Sequence, residues 1–289
     1  MRDVLDDGGD VRQRMIPGAA TADRDRPHAR PVTIAAFGGV YANRHALDAV
    51  LAEVARRGAD QVWCLGDVAG FGPHPDAAAE GLRDAGVRTL RGNVDDSVGH
   101  DRSDCNCGYG DPRDRHFAQR SFDHAVARTS PGHKTWMRSL PEQARLELDG
   151  IRVLLCHGSP RRVNEFLWES TCPDSFLEAL CDAHQADVVL CTHTGLPWSR
   201  ALSHGRHVVN VGVIGRPSND GLAGSIYASV TFHEGVTVRF HRVGYDHEAV
   251  AREMEREGLP PEFVETIRTG WWTTCLENLP ARERSRGRY

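Results

Sequence analysis

Four short polar stretches each follow directly on an apolar run: "CLGDV" (64–68), "LRGNVDD" (90–96), "LLCHGSP" (154–160) and "VLCTHTG" (189–195). They present Asp67, Asn93, His157 and His193. A carboxylate, an amide oxygen and two imidazoles form a ligand set for one Zn, Mn or Fe ion. Each residue alone has an ordinary reading, since Gly-Asp and Gly-Asn are common turns and a histidine after a strand is more often a turn residue. Four in succession, all at the ends of apolar runs, argue for a shared site. In α/β sheets, ligands bind just beyond the carboxyl ends of the strands.

The elements that must position them can be read from periodicity. "VTIAAF" (32–37) reads as a buried strand, and Asn43 as the N-cap of a helix that Leu47, Val50, Leu51 and Val54 continue until Gly58. "QVWCL" (61–65), an Ala-rich helix over 76–85 and "VRTL" (87–90) extend this to βαβαβ, a sheet covered by helices. The segment 96–112 is polar and Gly-rich and reads as a loop, followed by helices near 114–129 and 131–139. Asp149-Gly150 joins two alternating runs as a hairpin. "DVVLC" (187–191) is a further buried strand, and "SRALSHGRHVVN" and "SIYASVTFHEGVTVRF" read as two more hairpins. A charged helix over 246–257, a second around 261–270 and the basic tail "ARERSRGRY" close the chain. Residues 1–31 mix both charge signs with Gly and Pro and read as a disordered leader. One folded domain over 32–289, with its C-terminal helices and tail from about 246, is the economical organisation.

Composition narrows the function classes. With 40% hydrophobic and 26% charged residues, the 289-residue chain reads as a soluble globular protein, without an apolar stretch long enough to cross a bilayer. The formal charge of -5 argues against general nucleic-acid binding and for a small-molecule partner. Without a secretory signal, the eight cysteines read as free thiols of a reducing cytoplasm.

In order and spacing, the motifs "GDVAGFGPHP" (66–75), "GNVDD" (92–96), "CHGSPRRVNEFL" (156–167), "CTHTGLP" (191–197) and "NVGVIGRP" (210–217) resemble the calcineurin-like metallophosphoesterase superfamily, in its small bacterial branch of YfcE-type phosphodiesterases. The resemblance runs from about Val32 to Arg242. It implies a four-layer α/β/β/α sandwich of mixed sheets flanked by helices, with the site at strand ends. It also implies hydrolysis of a phosphoester by in-line attack at a centre of two divalent ions bridged by a carboxylate.

Measured against that family, the chain departs selectively. The first motif, Asp-x-His-Gly-Asn, falls on Gly39, Val40, Tyr41, Ala42 and Asn43, so both of its ligands to the first ion are replaced. The later Gly-His-x-His falls on Thr192, His193, Thr194 and Gly195, and a third first-ion ligand is replaced. The second-ion set of Asp67, Asn93, His157 and His193 is complete. The expectation is therefore a mononuclear or remodelled centre holding one Mn, Zn or Fe ion, with Tyr41 or substrate in the first-ion space. Val94 stands where the family has the histidine that protonates the leaving group, which leaves Asp95 or the adjacent Asp96 as the candidate acid, with a solvated surface role as the other reading; His45 and His74 are further candidates, and Asn93 joins Asp95 in the candidate catalytic set.

Further candidates are less specific. Tyr41, Asn43, His74 and Arg216 are candidate substrate-binding residues, and Arg161 and Arg162 read equally as phosphate ligands or solvated rim residues. His45 reads as a surface residue of the first helix. Cys105 and Cys107 form a Cys-x-Cys loop open to a ligand or redox role, while Cys64, Cys156 and Cys191 read as small core residues. Trp271 and Trp272 could anchor the last helix, cap the mouth of the site or mediate a homo-oligomer. Three functions follow: a metal-dependent hydrolase of a small phosphoester or pyrophosphate, a silent metal- or phosphate-binding module, and an enzyme redirected to sulfur or redox chemistry at the Cys105/Cys107 loop.

Overall fold

The run VTIAAF forms strand β1 (Val32–Phe37) in the computed structural model, which describes residues 30–288. The leader expected over 1–31 falls, but for its last two residues, outside the described residues. In helix α1 (Arg44–Arg57) the Asn43 side chain accepts from the Ala46 amide at 3.0 Å, and Gly58 closes the helix at φ 76°. Both are the cap chemistry that these residue types favour. Strand β2 (Gln61–Cys64), helix α2 (Pro75–Asp84) and the short β3 (Arg88–Thr89) complete the βαβαβ unit.

Helix α3 (Asn93–Gly99) departs from the expected loop over 96–112. Its polar composition hides an i, i+4 pair, Val94 and Val98, that is buried against the core. Two Pro-initiated helices follow, α4 (Pro112–Arg128) and α5 (Pro131–Ser139). The hairpin of β4 (Gln143–Leu148) and β5 (Ile151–Cys156) turns at Asp149 and Gly150, both with positive φ. Helix α6 (Asp174–Ala183), absent from the sequence expectation, buries Leu177, Leu180 and Cys181 at helical spacing. Then come β6 (Val188–Cys191), the hairpin of β7 (Trp198–Ala201) and β8 (His207–Asn210), and the hairpin of β9 (Ser225–Phe232) and β10 (Val236–Val243). Helices α7 (His247–Arg256), α8 (Pro261–Thr269) and α9 (Ala281–Ser285) end the described chain.

The strands form two five-stranded mixed sheets, ordered β10-β9-β1-β2-β3 and β4-β5-β6-β8-β7. Period-two alternation explains the layering. Ile34 and Ala36 of β1 join Val153, Leu155, Val188 and Leu190 in the core between the sheets, while Ala35 and Phe37 face outward to meet Leu47 and Val50 of α1. On the far sheet, Leu154, Val189 and Val208 face outward to pack with Leu177 and Leu180 of α6. The result is the expected four-layer α/β/β/α sandwich. Burying each Leu or Ile of these layers contributes about 1.5–3 kcal/mol, enough to hold loops in strained conformations at the strand ends.

Candidate metal centre

The parallel pairing of β1 with β2 and β2 with β3, and of β5 with β6, points four strand ends the same way within their sheets. Asp67 lies in the loop after β2, Asn93 opens α3 after β3, His157 follows β5 directly, and His193 lies two residues beyond β6. The β2 and β3 loops are tied to one another. The Asp95 carboxylate accepts from the amides of Asp67 and Val68 at 2.8 Å each and of Gly92 at 2.9 Å, and Asp67 Oδ1 accepts from the Val94 amide at 3.1 Å. The loops pass so closely that a Cβ on Gly92 would lie 2.2 Å from Asp67 Oδ1. Asp67 and His193 themselves hold left-handed backbone conformations, φ 60° and 69°. Such strain in non-glycine residues persists only where the surroundings enforce it, typically at functional sites.

Asp67, His157 and His193 are buried, and their potential ligand atoms all lie within 4.8 Å of one another. His157 Nε2 is 3.2 Å from Asp67 Oδ2 and 3.2 Å from His193 Nδ1. Its Nδ1 is 2.7 Å from the Leu65 carbonyl, which can only accept, so Nδ1 carries a proton and Nε2 is the nitrogen turned to the cluster. Asn93 is oriented by the same logic. Its Nδ2 donates to the Cys105 carbonyl at 2.9 Å, which leaves Oδ1 buried without a hydrogen-bond partner.

The metal-free electrostatics are those of a cation site. Burial penalises charge on His157, but the adjacent Asp67 carboxylate outweighs it and raises the pKa. Burial likewise opposes ionisation of Asp67, and His157 reverses the effect and holds the carboxyl below its usual range. His193 is pushed down to about 3 by burial and by the neighbouring charge of His157. One proton shared with His157 thus stands where a cation would neutralise Asp67. An orphaned amide oxygen, a carboxylate and two imidazoles fit a divalent transition metal, and Asp67, Asn93, His157 and His193 are the residues that would hold it.

Aromatic side chains pack against the glycines that stand at the first-ion ligand positions. A Cβ on Gly39 would lie 2.7 Å from Cε2 and Cζ of Tyr41, so the tyrosine ring lies against the position of the replaced aspartate. A Cβ on Gly195 would lie 2.9 Å from Cη2 of Trp272, so an indole covers the position of the replaced histidine. Tyr41 is itself in the left-handed region, φ 51°, and burial followed by the Asp67 charge raises its phenol well above the ordinary value. Without a metal cation beside it, it stands as a neutral phenol.

Beside the cluster opens a pocket lined by Asp67, Asn93, His193, Tyr41 and Arg216 together with an apolar wall that includes Phe71 and Phe117. Tyr109, Phe166 and Cys275 also face this region, and the Phe166 ring lies 4.3 Å from that of His193. No spacing rule marks these aromatics; only the fold brings Tyr109 and the C-terminal Trp272 and Cys275 to the site.

The remaining candidates are placed elsewhere. Asn43 spends its side chain on the α1 cap and on the Gly215 carbonyl and Tyr245 hydroxyl, each at 3.2 Å. His74 and His45 turn to Glu253 on α7, at 3.3 and 3.0 Å. Arg161 pairs with Glu165 and covers Phe176. Asp95, the candidate acid, has both carboxylate oxygens accepting from backbone amides. Cys105 and Cys107 depart from the free-thiol expectation. Asn106 at φ 50° folds the chain so that their Cα atoms lie 5.2 Å apart, and the two are joined in a disulfide beside Asn93; the other six cysteines are free.

The C-terminal segment that carries Trp272 is held to α4. Arg113 donates to the Thr273 carbonyl at 2.8 Å, and the Asn278 amide donates to Asp114 Oδ2 at 2.9 Å. Burial and the hydrogen-bonded Glu277 push the Asp114 carboxyl up to about 7. An acid whose folded pKa exceeds its unfolded value, near 3.9, contributes fully below that value and loses the contribution as pH rises through the folded pKa. Asp114→Asn keeps the acceptor and cannot ionise. The variant is expected to be the more stable form at pH 8 by about 2 kcal/mol, with the advantage vanishing near pH 4. Thermal unfolding of both proteins across that range checks this, and parallel curves would refute it.

Residues 32–235 match the calcineurin-like phosphoesterase superfamily domain. A protein of Methanocaldococcus jannaschii, uncharacterized protein MJ0912, is 24% identical over 252 residues, covering 82% of this chain and 98% of its own. Hypothetical protein PH1004 of Pyrococcus horikoshii OT3 shares the fold at a TM-score of 0.71 and 21% identity, over 84% of this chain and 100% of that one. A metallophosphoesterase from Sphaerobacter thermophilus superposes at a TM-score of 0.65 with 25% identity, over 83% of this chain and 100% of its own. Among the described residues, no helix is long and apolar enough to cross a membrane. With motif order, layered sandwich and strand-end cluster in agreement, the chain belongs to the calcineurin-like phosphoesterase superfamily.

Proposed function

We propose that the protein is a metal-dependent hydrolase of a small phosphoester or pyrophosphate, working with one divalent ion. The observation that carries this reading is the asymmetry of the centre. Asp67, His157 and His193 are gathered with an orphaned Asn93 oxygen, while Tyr41 and Trp272 pack against the glycines at the first-ion positions. Such an ion, when bound, polarises a phosphoryl oxygen and lowers the pKa of water. The chain's own residues supply the rest. Asp67 and His157 fix the centre through the Val94 amide and the Leu65 carbonyl, and Tyr41 and Phe71 form walls of the pocket beside it. With Val94 in place of an acid and Asp95 committed to amides, the leaving group departs on the strength of its own low pKa. Esters with activated leaving groups are therefore the favoured substrates.

Metal analysis is expected to give one ion per chain, and the protein is expected to turn over activated aryl phosphodiesters. His193→Ala should lower both metal content and turnover at least ~10²-fold, above the loss typical of residues that merely support a ligand. Equal turnover by variant and wild type would refute the reading. The missing acid also favours a second reading, a silent module that senses a phosphorylated ligand. In that case nucleotides would raise the melting temperature while none is consumed.

A further inference from the structure

Arg216 follows β8 in the loop that returns the chain to β9, and it is only 6% exposed. Its guanidinium lies 3.8 Å from the Trp272 ring centroid and 5.2 Å from that of Phe71. Nη2 donates to the Thr274 carbonyl at 2.7 Å, whereas Nε is buried without a partner. Among the described residues no carboxylate pairs with it, in a chain where most buried or half-buried arginines have one. A buried cation without a counter-charge is costly, and π-faces offset only part of that cost. The cavity that it lines is the one lined by Asp67, Asn93 and His193.

We propose that Arg216 is the anion-binding residue of this site and takes over the electrostatic place of the first metal ion, engaging the substrate's phosphoryl oxygens from the side opposite the single ion. The chemistry matches. A planar guanidinium offers paired donors that suit a phosphate, it is always charged, and its weak hydration suits an aromatic sleeve. The same charge explains why the first-ion space need not be empty to stay free of metal: a fixed cation beside Tyr41 repels a second one. Trp272 gains a role as well, since the indole that covers Gly195 is also the platform on which the guanidinium rests. This inference rests on the phosphoester reading of the cavity and adds to it the group that grips the anion.

The test uses the metal-loaded full chain and inorganic phosphate as the probe, titrated calorimetrically into wild type, Arg216→Met and Arg216→Lys. Metal content and melting temperature are measured on each sample. Phosphate affinity is expected to fall about 10–100-fold in Arg216→Met, the loss of a charged hydrogen-bonded pair, with one ion per chain retained. Arg216→Lys, which keeps the charge without the planar fork, should fall between the two and covers the case in which the Met variant does not fold. Added guanidinium ion should restore phosphate binding to Arg216→Ala, a rescue that a purely structural pin would not give. Wild type that hydrolyses aryl phosphodiesters while Arg216→Met binds phosphate within about twofold of it overturns the role of Arg216 and leaves the hydrolase reading standing. Arg216-dependent phosphate binding without turnover supports the anion site and overturns the hydrolase reading instead. Two ions per wild-type chain, or no phosphate binding at all, overturns the proposal.

Discussion

Asp67→Ala is expected to empty the metal centre, weakening metal binding by well over ~10²-fold, beyond what the loss of a supporting residue costs, and abolishing turnover with it. The reason is charge. Asn93 and the two histidines are neutral donors when they hold a cation, so Asp67 is the one anion in the set. Only 3% exposed, it has no solvent to take its place. Its Oδ1 also accepts from the Val94 amide, so part of any effect of Asp67→Ala is loss of loop order. Asp67→Asn separates the two contributions: it preserves shape and the acceptor while removing the charge. Both variants should bind metal weakly, but only the alanine should also lower the melting temperature. The check is metal per chain after equilibration at fixed free metal. Wild-type occupancy in either variant would remove the basis for the centre. In the metal-free protein, His157 should lose its raised pKa in both variants, because Asp67 is what raises it.

The frame of this site was legible in the sequence because it depends on local signals. Apolar runs that end in Gly-Asp, Gly-Asn or His mark strand ends, and strand ends of parallel segments gather on one rim. The Asn43 cap and the Asp149-Gly150 turn are equally local, and each forms as its residue type requires. Two helices escaped for opposite reasons. Composition masks α3, whose seven residues include only two valines, while the Leu177, Leu180 and Cys181 face of α6 was present at readable spacing.

The sequence already points to Tyr41 at the first-ion positions, but how its ring and that of Trp272 reach the two glycines is not legible there. That Tyr41 folds back over Gly39 depends on its left-handed backbone, and that Trp272 reaches Gly195 depends on a C-terminal segment which crosses α4 more than 70 residues later in the chain. Neither follows from spacing. Asn43 and His74 show the complementary limit. Polar residues near a motif are candidates for chemistry until the structure shows their donors and acceptors already spent on a helix cap and on Glu253. The glycines carried a recoverable signal. Gly39 and Gly195 stand where the family places ligands, and two glycines at such positions mark space taken by a neighbour.

Asp95→Ala is expected to destabilise the fold by roughly 3–5 kcal/mol, because it strands three buried amides, those of Gly92, Asp67 and Val68, at once. Electrostatics alone would have suggested another role. Burial and the Asp67 charge push the Asp95 carboxyl up to about 6, close to the value that suits a general acid. Geometry favours a clamp on the three amides, since an acid must reach a leaving group and this carboxylate is fully buried. The two roles predict different variants. As a clamp, Asp95→Asn retains one acceptor but sets its amide nitrogen against a backbone donor, so stability falls while the turnover of folded protein holds, with good and poor leaving groups alike. As an acid, Asp95→Asn would keep its melting temperature and lose ~10²–10⁴-fold in turnover, selectively for poor leaving groups. Measuring melting temperature and a leaving-group series on the one variant separates them. A steeper dependence on leaving-group pKa at unchanged stability would return Asp95 to the chemistry, and would require the loop after β2 to open during turnover.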